Sequence, residues 1–482
     1  MFREKPRPKT KKDKQFNDVW WKCTYKFCSA SLITDLKLSK IIRINANHKE
    51  ECPDVSKKSL QYRKISSSVK RKAEEDLDEK PESLITKRLR ASDSKNQLGN
   101  EDLVNLKKTV WRVRNKQTPA KLQRNAGDCF DQIELIKNKN AWMTGMNEHK
   151  KEQFIYPFKT LGILIITSIT NLLWLCDPAN EHYLGDGTFS YCPMHFAQLY
   201  TIHAYRSGYY IPLVHIALPG KSEAIYDKMW YLLKHLCYNL CGKVLSIRSM
   251  VVDYELAAIN SVANEFPGVT IRGCRFHLSQ SWFRFIQTFK GFDYLSHYNT
   301  KDSAIGKWLR AFFGLSYLPP ELIDEAFFML HDRKPSADCD KFIDYICENY
   351  IDISVANYGP LMWAGEVSDV RDVRTTNGPE SFHMGYNSNF NRKHPNIFKV
   401  LNVLLCNQEK NYLSFNDINN GLEKKQRNPR IKADNETRNL WNNYKTSQRT
   451  EEDLWKYLCT VGNRFKGRNL SSKKGKEEVK SN

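Results

Sequence analysis

The chain has 482 residues, 41% of them hydrophobic and 12% aromatic, and a formal charge of +21. That length and apolar content support two or three domains with a sizeable core, which excludes a wholly disordered chain. The charge sits at the ends: residues 1–125 hold 32 Lys/Arg against 16 Asp/Glu and residues 422–482 hold 16 against 8, leaving 27 against 30 between.

Basic arms around a near-neutral body suit a polyanionic partner, because each Lys or Arg set near a phosphate releases condensed counterions. DNA or RNA is favoured over a membrane. The most apolar run, residues 161–176, is 16 long and broken by Thr, Ser and Asn, whereas a membrane span needs about 20 apolar residues. It reads as core. Thirteen cysteines, an odd number, with no secretory signal point to a reducing, intracellular setting rather than a disulfide framework.

In chain order, the leading arm REKPRPKTKKDK offers phosphate contacts without sequence information. Residues 15–58 form a small module in which Cys23, Cys28, His48 and Cys52 are spaced C-x4-C-x19-H-x3-C. Two thiolates, an imidazole and a fourth soft ligand are what a closed tetrahedral zinc site takes, and so small a segment needs such a staple. Residues 59–125 are charged and serine-rich, which predicts a basic disordered linker. Its clusters Lys70-Arg71-Lys72 and Lys87-Arg88-Leu89-Arg90 match a bipartite nuclear import signal, hence a nuclear location.

From residue 155 the periodicity changes. GILIIT, HYLGDGTFS, AQLYTIHAY and IPLVHIALP read as strands, residues 222–240 as a helix with Ile225, Met229, Leu232, Leu233 and Leu236 at helical spacing, and SMVVDYE as a further strand. That order predicts a mixed α/β sheet. Candidate helices at 303–314, 320–331 and 339–350 form a helical insertion at about 290–365. Residues 421–482 read as a basic helical region ending in a solvated tail.

Asp186, between Gly185 and Gly187, and Asp253 both close apolar strands, with the two glycines expected to turn the backbone there. Two strand-terminal acids on neighbouring strands suit Mg²⁺ or Mn²⁺, hard cations that take oxygen ligands. Glu380, in the first turn of a helix opened by Asn377-Gly378-Pro379, is the candidate third acid; Glu366, Asp369 and Asp372 compete with it. Cys237 and Cys241, at i, i+4 spacing, have the ligand types to join Cys274 and His277 in a zinc site, but cysteines on an apolar helix face are normally just buried.

Four blocks, DGTFSYCPMHFAQLYTIH, IPLVHIALPGKSEAIYDKMW, VVDYELAAINSVANEFPGVTIRGCRFHLSQSWFRFIQ and RTTNGPESFH, resemble, in order, a Mutator-like element (MULE) transposase domain over residues 126–420. The resemblance implies an RNase H-like catalytic core with a helical insertion before the last acid, and Asp186, Asp253 and Glu380 as its catalytic, magnesium-binding triad. It also implies metal-dependent DNA cleavage and strand transfer, with transposon ends as partner and a homo-oligomer on them as an option. A Cys-x-x-His pair of that family falls on Cys274 and His277.

Residues 20–54 similarly resemble a FLYWCH-type zinc finger. Ala46 stands where that family's first closing histidine falls, so either Cys52 is the fourth ligand or the site is impaired, and the family's first strand has no counterpart in the sequence. An alternative to the enzyme is a repurposed DNA-binding protein that keeps the fold after its chemistry has lapsed.

Overall fold

The computed structural model describes residues 2–4, 18–23, 25, 27–35, 39–52, 57–75, 79, 81–91, 98–117, 124–139, 142–145, 151–367, 373, 375–424 and 428–465. The chain divides into two compact units, Met1–Ala120 and Lys121–Asn482. Most of the leading arm, the last dozen residues, Asp369 and Asp372 lie outside the described residues.

The first unit opens with an antiparallel sheet in the order β1 (Phe2–Glu4), β2 (Asp18–Cys23), β3 (Ser31–Asp35) and β4 (Ile41–Asn45). The Asp35 carboxylate closes the β3–β4 connection by accepting from the backbone N–H groups of Ser39 and Lys40 at 2.7 and 2.8 Å. β1, pairing Phe2 with Cys23, is an outer strand that the sequence reading does not anticipate.

Where the sequence predicts a disordered linker, the chain instead forms three helices, α1 (Lys57–Glu75), α2 (Pro81–Arg90) and α3 (Asn100–Gln117). Ile65, Val69 and Ala73 recur every four residues along one face of α1 and bury against Leu84, Ile85, Leu106, Val110 and Val113. A stripe this narrow is enough for a small core, and the charged residues around it pull the average hydropathy down and hide it. The two basic clusters lie on α1 and α2. The outer face of α3 exposes Val104, Lys107, Lys108, Trp111 and Arg112.

The second unit begins with α4 (Ala126–Glu134) and a two-stranded ladder of β5 (Met143–Thr144) and β6 (Glu152–Gln153). There follow β7 (Ile155–Phe158), β8 (Ile163–Ile166), α5 (Ile169–Leu175), β9 (His182–Thr188), β10 (Gln198–Arg206) and β11 (Tyr209–Leu218). Next come α6 (Glu223–Cys241), β12 (Ser249–Val252), α7 (Leu256–Glu265) and β13 (Thr270–Gly273). The strands make one seven-stranded mixed sheet in the order β13-β12-β9-β10-β11-β8-β7. β9, β10, β11, β8 and β7 are antiparallel neighbours, while β12 runs parallel to both β9 and β13.

One face of the sheet packs Tyr183, Met250 and Val252 against Trp230 and Met229 of α6 and Val262 of α7. Beyond β13 lie α8 (Arg275–Thr288), α9 (Tyr294–Asn299), α10 (Ala304–Phe312), α11 (Ile323–Asp332), α12 (Asp340–Ile346) and α13 (Pro360–Trp363). These form the expected helical layer, around Trp282, Trp308, Phe312, Phe342 and Trp363.

The chain then returns to the sheet through α14 (Asn377–Asn387) and α15 (Ile397–Asn419), and ends in α16 (Asn428–Thr446) and α17 (Glu451–Gly462). Tyr386, Phe398 and Leu401 cover Leu199 and Ala217 on the sheet's other face. The last two helices are no mere basic extension: Trp441, Leu454, Tyr457 and Leu458 complete the core of the helical layer. Among the described residues no helix is long and apolar enough to cross a membrane.

Candidate metal-binding sites

Leu184 of β9 pairs with Val251 of the parallel β12. Extending that register by two residues sets Asp253, just past β12, level with Asp186, at the roughly 4.8 Å spacing of adjacent strands. Leu184 and Val251 share a small core with Val373, away from Tyr183 and Met250. By strand alternation both acids face that side, the side α14 covers. Each carboxylate accepts from the N–H of the following residue, Gly187 to Asp186 at 2.8 Å and Tyr254 to Asp253 at 2.7 Å. Glu255, by contrast, accepts from the Tyr226 hydroxyl at 3.1 Å.

The glycines beside Asp186 do not turn the chain, since β9 runs through both and neither has a positive φ. They provide space. A Cβ at Gly185 would strike the Tyr200 hydroxyl and come within 2.6 Å of the Met250 methyl, and one at Gly187 would lie 2.6 Å from Gln198 Oε1.

Glu380 lies in the first turn of α14, and that turn can rest on β11 because Gly378 has no Cβ to meet the Tyr210 ring. Glu380 reaches Asp253 through His277, whose Nδ1 is 3.3 Å from Asp253 Oδ1 and whose Nε2 is 3.6 Å from Glu380 Oε1. Burial of the His277 ring opposes its charge. The Cys274 sulfur and the Asp253 and Glu380 carboxylates outweigh that burial and hold the pKa up to about 9.

Cys274 is buried at the mouth of β13 and accepts from Thr376 N at 3.3 Å and Thr376 Oγ1 at 3.2 Å. Of the third-acid candidates among the described residues, Glu380 is the one that His277 links to Asp253. Glu366 instead acts electrostatically on Tyr457. Cys237 lies against Cys176, and Cys241 points its thiol at the Ile169 carbonyl at 3.8 Å, so neither accompanies Cys274.

Sequence reasoning missed what lies behind Asp186. His383, one turn beyond Glu380 on α14, places Nδ1 3.0 Å from Asp186 Oδ2 and Nε2 3.1 Å from Thr201 Oγ1. Thr201 Oγ1 also donates to the Asp186 carbonyl at 3.2 Å and meets His203 Nε2 at 3.1 Å. Burial pushes the pKa of His203 well below the ordinary range and that of His215 to about 3, so both are neutral. The available signals were the i, i+3 spacing of Glu380 and His383 and the two-residue alternation of Thr201 and His203 along β10.

In the first unit, ligand atoms of Cys23, Cys28, His48 and Cys52 all lie within 4.8 Å of one another. Cys28 Sγ and His48 Nδ1 are 3.5 Å apart. Cys23 N–H donates to the Ala30 carbonyl and Cys52 N–H to the Lys49 carbonyl, which fixes the local turn beside each pair of ligands. Burial raises the Cys28 thiol, but backbone hydrogen bonds at Ala30 and Lys49 and the neighbouring thiols pull it down to about 6. Three sulfurs and an imidazole form a set that could hold zinc, with Cys52 beside the other three. No protein-family model matches the chain, and no curated protein does.

Proposed function

We propose that the protein is a DNA-binding, transposase-like nuclease that cleaves phosphodiesters with a divalent cation and joins the freed 3′ ends to DNA, acting on transposon ends in the nucleus. The observation that carries this reading is the acidic cluster: Asp186 and Asp253 on adjacent parallel strands, with Glu380 brought to them across His277. An RNase H-like core is supported by the β9-β10-β11 meander joined to parallel β12 and β13, and by the helical layer that precedes Glu380.

Asp186 and Asp253 offer oxygen donors, which fit Mg²⁺ or Mn²⁺, and Glu380 completes the set. A bound cation supplies Lewis acidity and a nucleophilic water at neutral pH. The chain's own residues hold geometry. His383 fixes the Asp186 carboxylate from behind, and Gly185 and Gly187 let Tyr200 and Gln198 pack close beneath it. His277, between Asp253 and Glu380, would offset their charge in the absence of a cation. In strand transfer a freed 3′-hydroxyl would be the nucleophile, and the site would need only to position it in line. The basic arms, the Cys3His module and the exposed Lys108-Trp111-Arg112 face of α3 hold the DNA backbone.

The second reading, a repurposed DNA-binding protein with lapsed chemistry, is favoured by one observation: the His277 ring spans the space between two of the three acids. Nicking and end joining of plasmid DNA in Mg²⁺ or Mn²⁺, beside Asp186→Ala and Asp253→Ala, separates the two. Activity lost in both variants supports the nuclease. Salt-sensitive binding with no cleavage by the unaltered chain overturns it in favour of the binder.

A further inference from the structure

The acidic cluster contains a second, chemically different donor set. Cys274 Sγ, a ring nitrogen of His277 and a carboxylate oxygen of Glu380 all lie within 4.8 Å of one another, the same limit that encloses the Cys3His cluster. Ligands bound tetrahedrally to zinc at about 2.0–2.3 Å lie roughly 3.3–3.8 Å apart. His277 Nε2 and Glu380 Oε1, 3.6 Å apart, already stand at that separation.

Sulfur with imidazole is a poor match for Mg²⁺, which selects oxygen, and a good match for a softer ion. Cys274 and His277, three residues apart, fall on one side of the first turn of α8.

The surroundings fit a ligated metal as well. Two donors from Thr376 point at the Cys274 sulfur, and the Thr376 hydroxyl also lies 3.4 Å from His277 Nδ1. With Nε2 turned to the ion beside Glu380, Nδ1 faces the Asp253 carboxylate at 3.3 Å. Such partners orient metal-bound histidines.

We propose that Cys274, His277 and Glu380 form a second zinc site, with Asp253 beside it, inside the cluster of strand acids. Because Glu380 belongs to both donor sets, zinc and a hard divalent cation exclude each other there. This site does not depend on the cleavage reading, and its metal content is measured without DNA.

The test is the zinc content of the full chain, purified without chelator and measured by mass spectrometry of the metal. Two equivalents are expected, falling to one in Cys274→Ser and to one in Cys28→Ser. Glu380→Gln, a neutral isostere, is expected to keep the fold and weaken the second zinc by roughly 10- to 100-fold against a chromophoric chelator. It decides the matter if Cys274→Ser does not fold. A single equivalent that Cys28→Ser removes, or two equivalents retained in Cys274→Ser, overturns the site; unchanged affinity in Glu380→Gln does the same.

Discussion

His383 should control the acidic site without touching substrate. It hydrogen-bonds Asp186 at 3.0 Å with both side chains largely buried, 8% and 12% exposed. A hydrogen bond to a charged group in such a place contributes about 1.5–3 kcal/mol, and its loss frees the Asp186 carboxylate to swing. A displacement of about 1 Å in a positioned group costs roughly 100-fold in rate, and loss of a group that orients a metal ligand costs about 10- to 100-fold in affinity.

His383→Ala is therefore expected to lower plasmid nicking about 100-fold and Mn²⁺ affinity at least about tenfold. Two further variants separate positioning from packing. The amide nitrogen of His383→Asn falls near the former Nδ1 and can still donate to Asp186; that of His383→Gln falls near the former Nε2 and reaches Thr201 instead. Mn²⁺ titration calorimetry should rank Asn above Gln and Gln near Ala. Equal affinity for Asn and Gln, or Ala indistinguishable from the unaltered chain, refutes the positioning role.

The raised pKa of His277 gives a pH signature of the metal-free protein. Its contribution to stability is fully present below the ordinary value of about 6.5 and is lost as pH rises through about 9. The urea midpoint should fall across that window by the equivalent of roughly 3 kcal/mol, and the fall should be absent in His277→Gln. On α3, Lys108→Ala with Arg112→Ala should reduce the slope of log affinity for duplex DNA against log salt by about 2, with the helical signal unchanged. Gly378→Ala, whose new methyl would meet the Tyr210 ring, is expected to cost about 1–3 kcal/mol in stability and to move Glu380, so that calorimetry shows a lower Tm and weaker Mn²⁺ binding together.

The strands carrying Asp186 and Asp253 were legible because apolar alternation and β-branched runs are local signals. The helix bearing Glu380 was legible from its Asn-Gly-Pro start. Across the segment 59–125, average composition points to disorder, whereas folding there depends on eight buried positions that the charged residues around them conceal. Gly185 and Gly187 were misread for a different reason. A glycine in sequence signals either a turn or a crowded neighbour, and only the Tyr200, Met250 and Gln198 side chains decide which. The His383–Asp186 pair joins residues nearly 200 positions apart, and no local pattern encodes that contact.

The position of α14 bears on the choice between a working enzyme and a repurposed binder. Its contacts with the sheet come from Gly378 on Tyr210, from His383 and from the apolar face ending in Tyr386. The packing of α14 on the sheet therefore draws on Asp186 through His383 but not on Glu380 or Asp253 as acids. Two carboxylates a strand spacing apart repel each other by a few kcal/mol at an effective dielectric constant of about 20. A chain keeping this architecture only as a scaffold would be more stable with one of them neutral. His277 offsets part of that repulsion on the Asp253–Glu380 side, while Asp186 is met by His383 alone among the ion pairs of the described residues. An arrangement that sets two carboxylates side by side, one on β9 and one just past β12, and aligns one of them from behind is stabilised most directly by a cation. The metal-dependent reading therefore makes a specific demand: millimolar Mg²⁺ should raise the Tm of the unaltered chain and leave that of Asp186→Asn unchanged.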